Sequence, residues 1–235
     1  ARRCFLLRRL EDETRQAILD AGHLRRVAAG ESFFHQGEDA TWLYVLRSGR
    51  VKLVQLTQDG DQVVVNYFGP GQGLGIIVAL NDSPYPLSAE AVEDCEAVGW
   101  HRDEMRQLML RYPQLALNGM QMMGERFTRL QERFRDVSTK RVEQRVARAL
   151  LRLVRQFGRR VEAGVLIDIP LSRQDVAEMT GTNLYNVSRI LSKWEQQAWI
   201  ASSRKQITIC RAHELVALAE DLEAPAKPAG DEAIE

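Results

Sequence analysis

Asn183, Asn186 and Arg189 lie three residues apart along a stretch that reads as helix, and their side chains can recognise bases. A guanidinium gives a guanine edge two parallel hydrogen bonds, and a carboxamide does the same for an adenine edge. Arg189 is therefore the candidate guanine reader, and Asn183 or Asn186 the candidate for adenine. Arg173, Lys193, Arg204 and Lys205 are candidate phosphate contacts, together with Ser172 and the N–H groups of the helix it starts. Gln174, Thr182, Tyr185 and Ser188 complete the candidate DNA-contacting set. The plainer alternative is a helical hairpin with a solvated basic face.

The neighbouring residues supply the elements that would hold these groups. Ser172-Arg-Gln-Asp175 resembles a capping box, and Val176, Ala177 and Met179 give a short helix its buried side. Thr180-Gly181-Thr182 breaks that helix, because glycine accepts the left-handed conformation. A second helix is predicted over 183–197, with Val187, Ile190, Leu191 and Trp194 facing inward. Residues 200–202 and 207–209 flank Ser203-Arg204-Lys205 as a two-stranded basic wing. Two short helices with a glycine turn between them, the second polar and basic outside, make a helix-turn-helix.

Charge supports this placement although the whole chain hides it. The 235 residues hold 32 Lys+Arg and 32 Asp+Glu, a formal charge of zero. Counted by segment, residues 1–139 hold 17 basic and 19 acidic side chains, 140–211 hold 14 and 6, and 212–235 hold 1 and 7. The middle segment alone, at +8, has the footprint of a polyanion binder.

The rest of the chain reads as follows. Leu6, Leu10, Ala17, Ile18 and Ala21 predict helix over the first ~25 residues. From residue 31 to about 100, Val51, Leu53, Val63, Val65 and Tyr67 alternate with period two between frequent glycines, and Asp59-Gly60 signals a hairpin. Short, closely spaced strands predict a barrel or jelly roll. Ala116, Met120, Met123, Phe127, Leu130, Phe134 and Val137 form a heptad seam. The seam serves either a dimer coiled coil or packing on its own domain. Residues 141–157 form a further amphipathic helix, and the acidic, proline-containing tail from residue 220 has little to bury. The expected fold class is α+β: a sensor domain over 1–112, a dimerisation helix over 113–138, a winged helix-turn-helix over 139–212 and an acidic tail over 213–235.

Other classes are disfavoured. The longest strongly apolar stretch, residues 74–80, is far short of the ~20 residues that span a bilayer. No leader peptide pattern opens the sequence, and three scattered cysteines suit a reducing compartment, so a cytoplasmic protein is expected. There is no zinc-ligand spacing, no Gly-x-Ser-x-Gly elbow and no P-loop, so neither an enzyme nor a metal site is expected.

The order of barrel, heptad helix and winged domain resembles the cyclic-AMP receptor and fumarate–nitrate regulator (Crp/Fnr) superfamily of bacterial transcription factors. The matching motifs cover about residues 5–212. They include Phe34-His-Gln-Gly-Glu38, Ser48-Gly49-Arg50-Val51, Pro70-Gly71-Gln72-Gly73, Arg111-Tyr-Pro113, Leu171-Ser-Arg-Gln-Asp-Val-Ala-Glu-Met-Thr-Gly-Thr182 and Val187-Ser-Arg-Ile-Leu191. The resemblance implies a homodimer on palindromic double-stranded DNA, with RNA polymerase as a further partner and no membrane partner. It also implies an effector in the barrel that repositions the DNA-binding domains. The expected interface is Met120, Met123, Phe127, Leu130, Phe134 and Val137. The expected effector pocket is Gly75, Ile76, Ile77, Val78, Leu87 and Ser88 with Met123 and Phe127.

The departures from the family pattern narrow the signal. Ile76 stands where cyclic-AMP binders carry a Glu, and Pro86-Leu87 where they carry the phosphate-binding Arg-Ser pair. Leu130 and Gln131 replace two hydroxyl side chains on the long helix. Cyclic AMP is therefore not the expected ligand. Three cysteines cannot supply the four thiolates of an iron–sulfur cluster. A haem-based gas sensor is the alternative, its axial ligand drawn from His23, His35, His101 or His213. On the recognition helix, Tyr185 replaces the family's Glu and Leu184 an Arg, while Arg189 is kept, so a guanine in an unfamiliar flanking pattern is expected.

Overall fold

The computed structural model describes residues 4–79 and 81–222, with the backbone alone at residues 78 and 79. The chain divides into two units at the 138/139 boundary. The expected tail residues 223–235 lie outside the described residues.

The first unit is a two-sheet antiparallel barrel wrapped by helices. Its elements run α1 (Asp12–Asp20), β1 (His23–Val27), β2 (Ser32–Phe34), β3 (Trp42–Ser48), β4 (Val51–Leu56) and β5 (Gln62–Phe68). Then come β6 (Gly73–Leu74), a 3-10 turn (Ile76–Ala79), β7 (Ser88–Ala91), β8 (Cys95–His101), α2 (Arg102–Arg111) and the long α3 (Pro113–Thr139). One sheet has the order β1-β8-β3-β6 and the other β2-β7-β4-β5. Strand β3 shows why both faces of the first sheet are covered. Tyr44 and Leu46 point into one core with Phe33, Phe34, Phe68 and Leu74, from both sheets. Leu43 and Val45 point to a second core with Leu6, Ile18, Trp100, Met105, Leu115 and Met122. Side chains alternate across a strand, so a run apolar at every position must be buried on both sides.

Three features of this unit depart from the sequence expectations. Helix α1 covers only Asp12–Asp20, and residues 23–27 already form a strand. β1 pairs with β8 alone and exposes His23 through Arg26, so its residues carry no period-two signal. In the β4–β5 hairpin, Leu53 pairs with Asn66 and Val54 with Val64. Val65 is thus the extra residue of a bulge, which shifts burial to Val64, Tyr67 and Phe68. The Asp59-Gly60 turn forms as expected, with Gly60 at φ 85° and its N–H donating to the Thr57 carbonyl.

The long helix has two different faces. Leu115, Asn118, Gly119 and Met122 are buried on its own unit. Asn118 donates to the carbonyls of Leu6 at 2.8 Å and Arg8 at 2.7 Å. The heptad seam points elsewhere, with Met120, Phe127, Leu130, Phe134 and Val137 all exposed and Phe134 as much as 75% so.

The second unit contains α4 (Val142–Phe157), β9 (Gly158–Val161), β10 (Gly164–Ile167), α5 (Arg173–Thr180), α6 (Leu184–Gln196), β11 (Ile200–Ser203), β12 (Gln206–Ile209) and α7 (Ala212–Glu220). Its sheet has the order β11-β12-β10-β9. Leu150, Leu153, Ile167, Val176, Leu191, Trp194, Ile207 and Leu215 are buried. Helix α7 occupies residues expected to begin the tail. Leu215 and Ala219, one turn apart, bury its inner side. Gln144 donates to Asp221 at 2.8 Å, and Arg148 to the Ala219 carbonyl at 3.2 Å. Among the described residues, no helix is long and apolar enough to cross a membrane.

Candidate nucleic-acid interface and sensor cavity

The helix-turn-helix is set by its caps. The Ser172 hydroxyl accepts from the Asp175 N–H at 3.0 Å, and the Asp175 carboxylate accepts from the Ser172 N–H at 2.7 Å. This reciprocal box fixes the start of α5. Gly181 ends it at φ 61°, a left-handed conformation that costs glycine little. Asn183 then caps α6 by accepting from the Asn186 N–H at 2.9 Å. Asn186 in turn donates to the Thr182 hydroxyl at 3.1 Å. The Asn183 Oδ1 is thus committed to the cap and an Asn186 N–H to Thr182, while Asn183 is exposed and Asn186 half-buried.

Sequence reasoning missed the groups that lock this turn. Arg145 of α4 donates to the Thr180 carbonyl at 2.9 Å and the Gly181 carbonyl at 3.1 Å. It supplies the cation favoured at a helix C-terminus, and it satisfies carbonyls that α5 leaves unpaired. Glu195 of α6 accepts from Arg173 of α5 at 3.3 Å and also from the Ser202 hydroxyl on β11. The Leu171 N–H donates to the Lys205 carbonyl at 2.9 Å and ties the wing turn to the start of α5. Helix starts and glycine turns are local signals, whereas these partners lie up to 36 residues apart in sequence.

The outward face of α6 presents Tyr185, 74% exposed, with Arg189 and Lys193, both exposed. Asn186, Arg189 and Lys193 line a cleft of about 290 Å³ together with Arg141 and Glu143. Arg189 has no ion-pair partner among the described residues. Lys193 pairs with Glu143 at 2.9 Å, and the same carboxylate oxygen accepts from the Trp194 indole at 3.0 Å. Two of the four expected phosphate cations, Arg173 and Lys193, are therefore held by carboxylates, while Arg204 and Lys205 stand exposed on the wing. Gln174 is exposed and donates to Glu178 at 3.0 Å, and Ser188 is half-buried.

In the first unit, a cavity of about 410 Å³ lies between α3 and the second sheet. Phe5, Leu53, Val65, Phe68, Leu87, Met122 and Leu130 give it apolar walls, and Asn66, Gln72, Glu125, Arg126, Arg129 and Arg133 its polar ones. Of the residues expected to line it, Leu87 does. Ile76 is instead spent in the core beside Leu115, and Met123 packs on that core. Ser88 is buried at the start of β7 and accepts from the Gln36 N–H at 2.9 Å. Gly75 sits at φ 68° with Trp42 and Tyr85 against it, Ile77 is half-buried outside the cavity, and Phe127 is exposed on the seam. The Val78 side chain lies outside what is described. Ile76 turns inward because covering the core gains more than facing water.

None of the four histidines lines this cavity, so these residues do not offer haem an axial imidazole there. His23 contacts Glu104, His101 caps α2 and His213 contacts Glu214. Burial pushes the Cys95 thiol up to about 11 and raises that of Cys4, which disfavours thiolate chemistry at either. Among the described residues no group of three or more His, Cys, Asp or Glu is placed to hold a metal ion.

Comparison with known proteins agrees with both units. The family model for a cyclic nucleotide-binding domain matches residues 24–112, and that for a Crp-like helix-turn-helix domain matches residues 144–218. The chain is 25% identical over 186 residues to a CRP-like cAMP-activated global transcriptional regulator of Mycobacterium tuberculosis, covering 79% of this chain and 83% of that protein. It is 25% identical over 193 residues to the fumarate and nitrate reduction regulatory protein of Salmonella typhimurium, covering 82% and 77%. The structure of FixK2 from Bradyrhizobium japonicum shares the fold, with a TM-score of 0.73 at 24% identity over 88% of this chain and 99% of that one. A cyclic-nucleotide-type barrel, a long helix and a Crp-like reading head thus follow one another in a single chain, which belongs to the Crp/Fnr family of DNA-binding transcription regulators.

Proposed function

We propose that the chain acts as a homodimer on a two-fold symmetric DNA site, under control of a signal other than cyclic AMP received in the barrel. The observation that carries this reading is the outward face of α6, where Arg189 stands exposed without an ion-pair partner among the described residues. Arg189 reads a guanine in each half-site, Asn186 and Tyr185 contact neighbouring bases, and Arg204 and Lys205 meet the backbone. Ser172 contributes through the N–H groups of the helix start rather than through its hydroxyl, which Asp175 engages.

The homodimer reading rests on the seam of α3. Met120, Phe127, Leu130, Phe134 and Val137 are apolar, exposed and spaced by heptads, and a second copy of the same helix is the partner that buries them symmetrically. Half-sites then fall about one helical turn of DNA apart. RNA polymerase is the further partner in the cytoplasm, since the related proteins regulate transcription.

Sedimentation and DNA binding test this together. The purified chain is expected to sediment as a dimer at micromolar concentration. Phe127→Glu with Phe134→Glu is expected to give a monomer whose DNA affinity falls at least tenfold. A double variant that stays dimeric, or a monomer that binds DNA as tightly, contradicts the reading.

A further inference from the structure

The cavity contains a cation with no counter-charge. Arg126 of α3 lines it, donates one hydrogen bond to the Gly73 carbonyl and stacks its guanidinium 5.1 Å from the centre of the Phe68 ring. No carboxylate among the described residues pairs with it. Burial lowers its affinity for a proton to about 10, and the nearby Arg129 adds to that. A sheltered guanidinium without an anion is costly, and a carboxylate meeting its free N–H groups would relieve the cost.

The other polar wall groups are already engaged. Arg129 pairs with Glu125 at 3.5 Å. Arg133 donates to the Val65 carbonyl and to Asn66, and Gln72 accepts from the Gly69 N–H at 2.8 Å. Leu53, Phe68, Leu87, Met122 and Leu130 supply the rest of the wall. A cavity of about 410 Å³ falls in the size range of small-molecule sites. A nucleotide would bring ribose hydroxyls that find few free partners here, whereas a single carboxylate matches the free N–H groups of one guanidinium.

We propose that the sensor cavity takes a small monocarboxylate with an apolar aryl or acyl body, its carboxylate on the Arg126 guanidinium and its body against Phe68, Leu87, Met122 and Leu130. This rests on the reading of the cavity as the site of the signal. Leu130 belongs to both the cavity wall and the exposed seam, so an occupant touches the residue through which a second copy would sense it.

The test is calorimetric titration of the full chain, without DNA. Benzoate, phenylacetate and the straight-chain acids from four to ten carbons are compared with their amides, with phthalate and with cyclic AMP. At least one monocarboxylate is expected to bind in the micromolar range, with its amide at least 30-fold weaker. Arg126→Leu is expected to weaken that acid at least tenfold, and Arg126→Lys to keep the preference for acid over amide. The amide contrast uses the unaltered protein and so does not depend on a variant folding. The proposal is overturned if no acid of the series binds below 1 mM, if amides match acids, or if phthalate or cyclic AMP binds more tightly than every monocarboxylate. Acid binding that leaves DNA affinity unchanged would instead sink the signal-site reading and leave the ligand class standing.

Discussion

At the scale of single residues, the proposed reading of DNA rests on Arg189, exposed on the outer face of α6. The sequence marks Arg189 as a base reader because its guanidinium lies on the outer face of the second helix of a helix-turn-helix and matches a guanine edge. Arg189→Ala is expected to cost about 1–3 kcal/mol and to relax preference at one base position per half-site, measured with single-substitution operators. Equal weakening on every sequence would reduce Arg189 to a backbone contact. The sequence places Asn183 inside the second helix and offers its carboxamide to an adenine edge, whereas the structure starts α6 at Leu184 and spends the Asn183 carbonyl on the Asn186 N–H as a cap. Glu143 could not be linked to Lys193, 50 residues away. Glu143→Gln keeps an oxygen for the Trp194 indole and releases the ammonium. Freed, Lys193 should steepen the slope of log affinity against log salt by about 0.9. An unchanged slope would show that Lys193 does not reach phosphate.

At the scale of elements, strongly periodic segments were readable and those shaped by distant partners were not. The heptads of α3 showed one face, and the structure adds a second, on which Asn118 and Met122 dock to the barrel. That second face is read poorly because Asn118, Gly119 and Arg126 are not apolar. β1 is an edge strand with charged, exposed residues, and α7 holds only two buried side chains, Leu215 and Ala219, against an acidic background. Arg145 falls on the basic face of the amphipathic helix predicted over 141–157, and the structure uses it to close the C-terminal end of α5. Arg145→Ala is expected to destabilise the second unit by about 2 kcal/mol, the scale of hydrogen bonds from a charged group, seen as a lower urea midpoint. DNA affinity should fall with it, because the turn sets the angle of α6. A variant of unchanged stability and affinity would show that the turn holds without this clamp.

At the scale of the whole molecule, a formal charge of zero is the sum of a nearly neutral barrel, a reading head of +8 and an acidic end. The acidic end is not uniform. Glu220 and Asp221 pair with Arg148 and Gln144 on α4 and belong to the folded unit, whereas residues 223–235 add four acids and one lysine. Removing residues 223–235 is expected to raise affinity for random DNA at low salt, with the gain fading as salt screens it. No gain at low salt would make that segment electrostatically silent toward DNA. The most direct measurement of the central claim is selection of bound duplexes from a random pool, run with the native chain and with Arg189→Ala. The native chain is expected to enrich a palindrome with a guanine in each half-site, the halves about one helical turn apart, and the variant to lose that guanine but keep the symmetry. Enrichment of no palindrome, or of the same guanine by both proteins, would contradict a dimer that reads DNA through the outward face of α6.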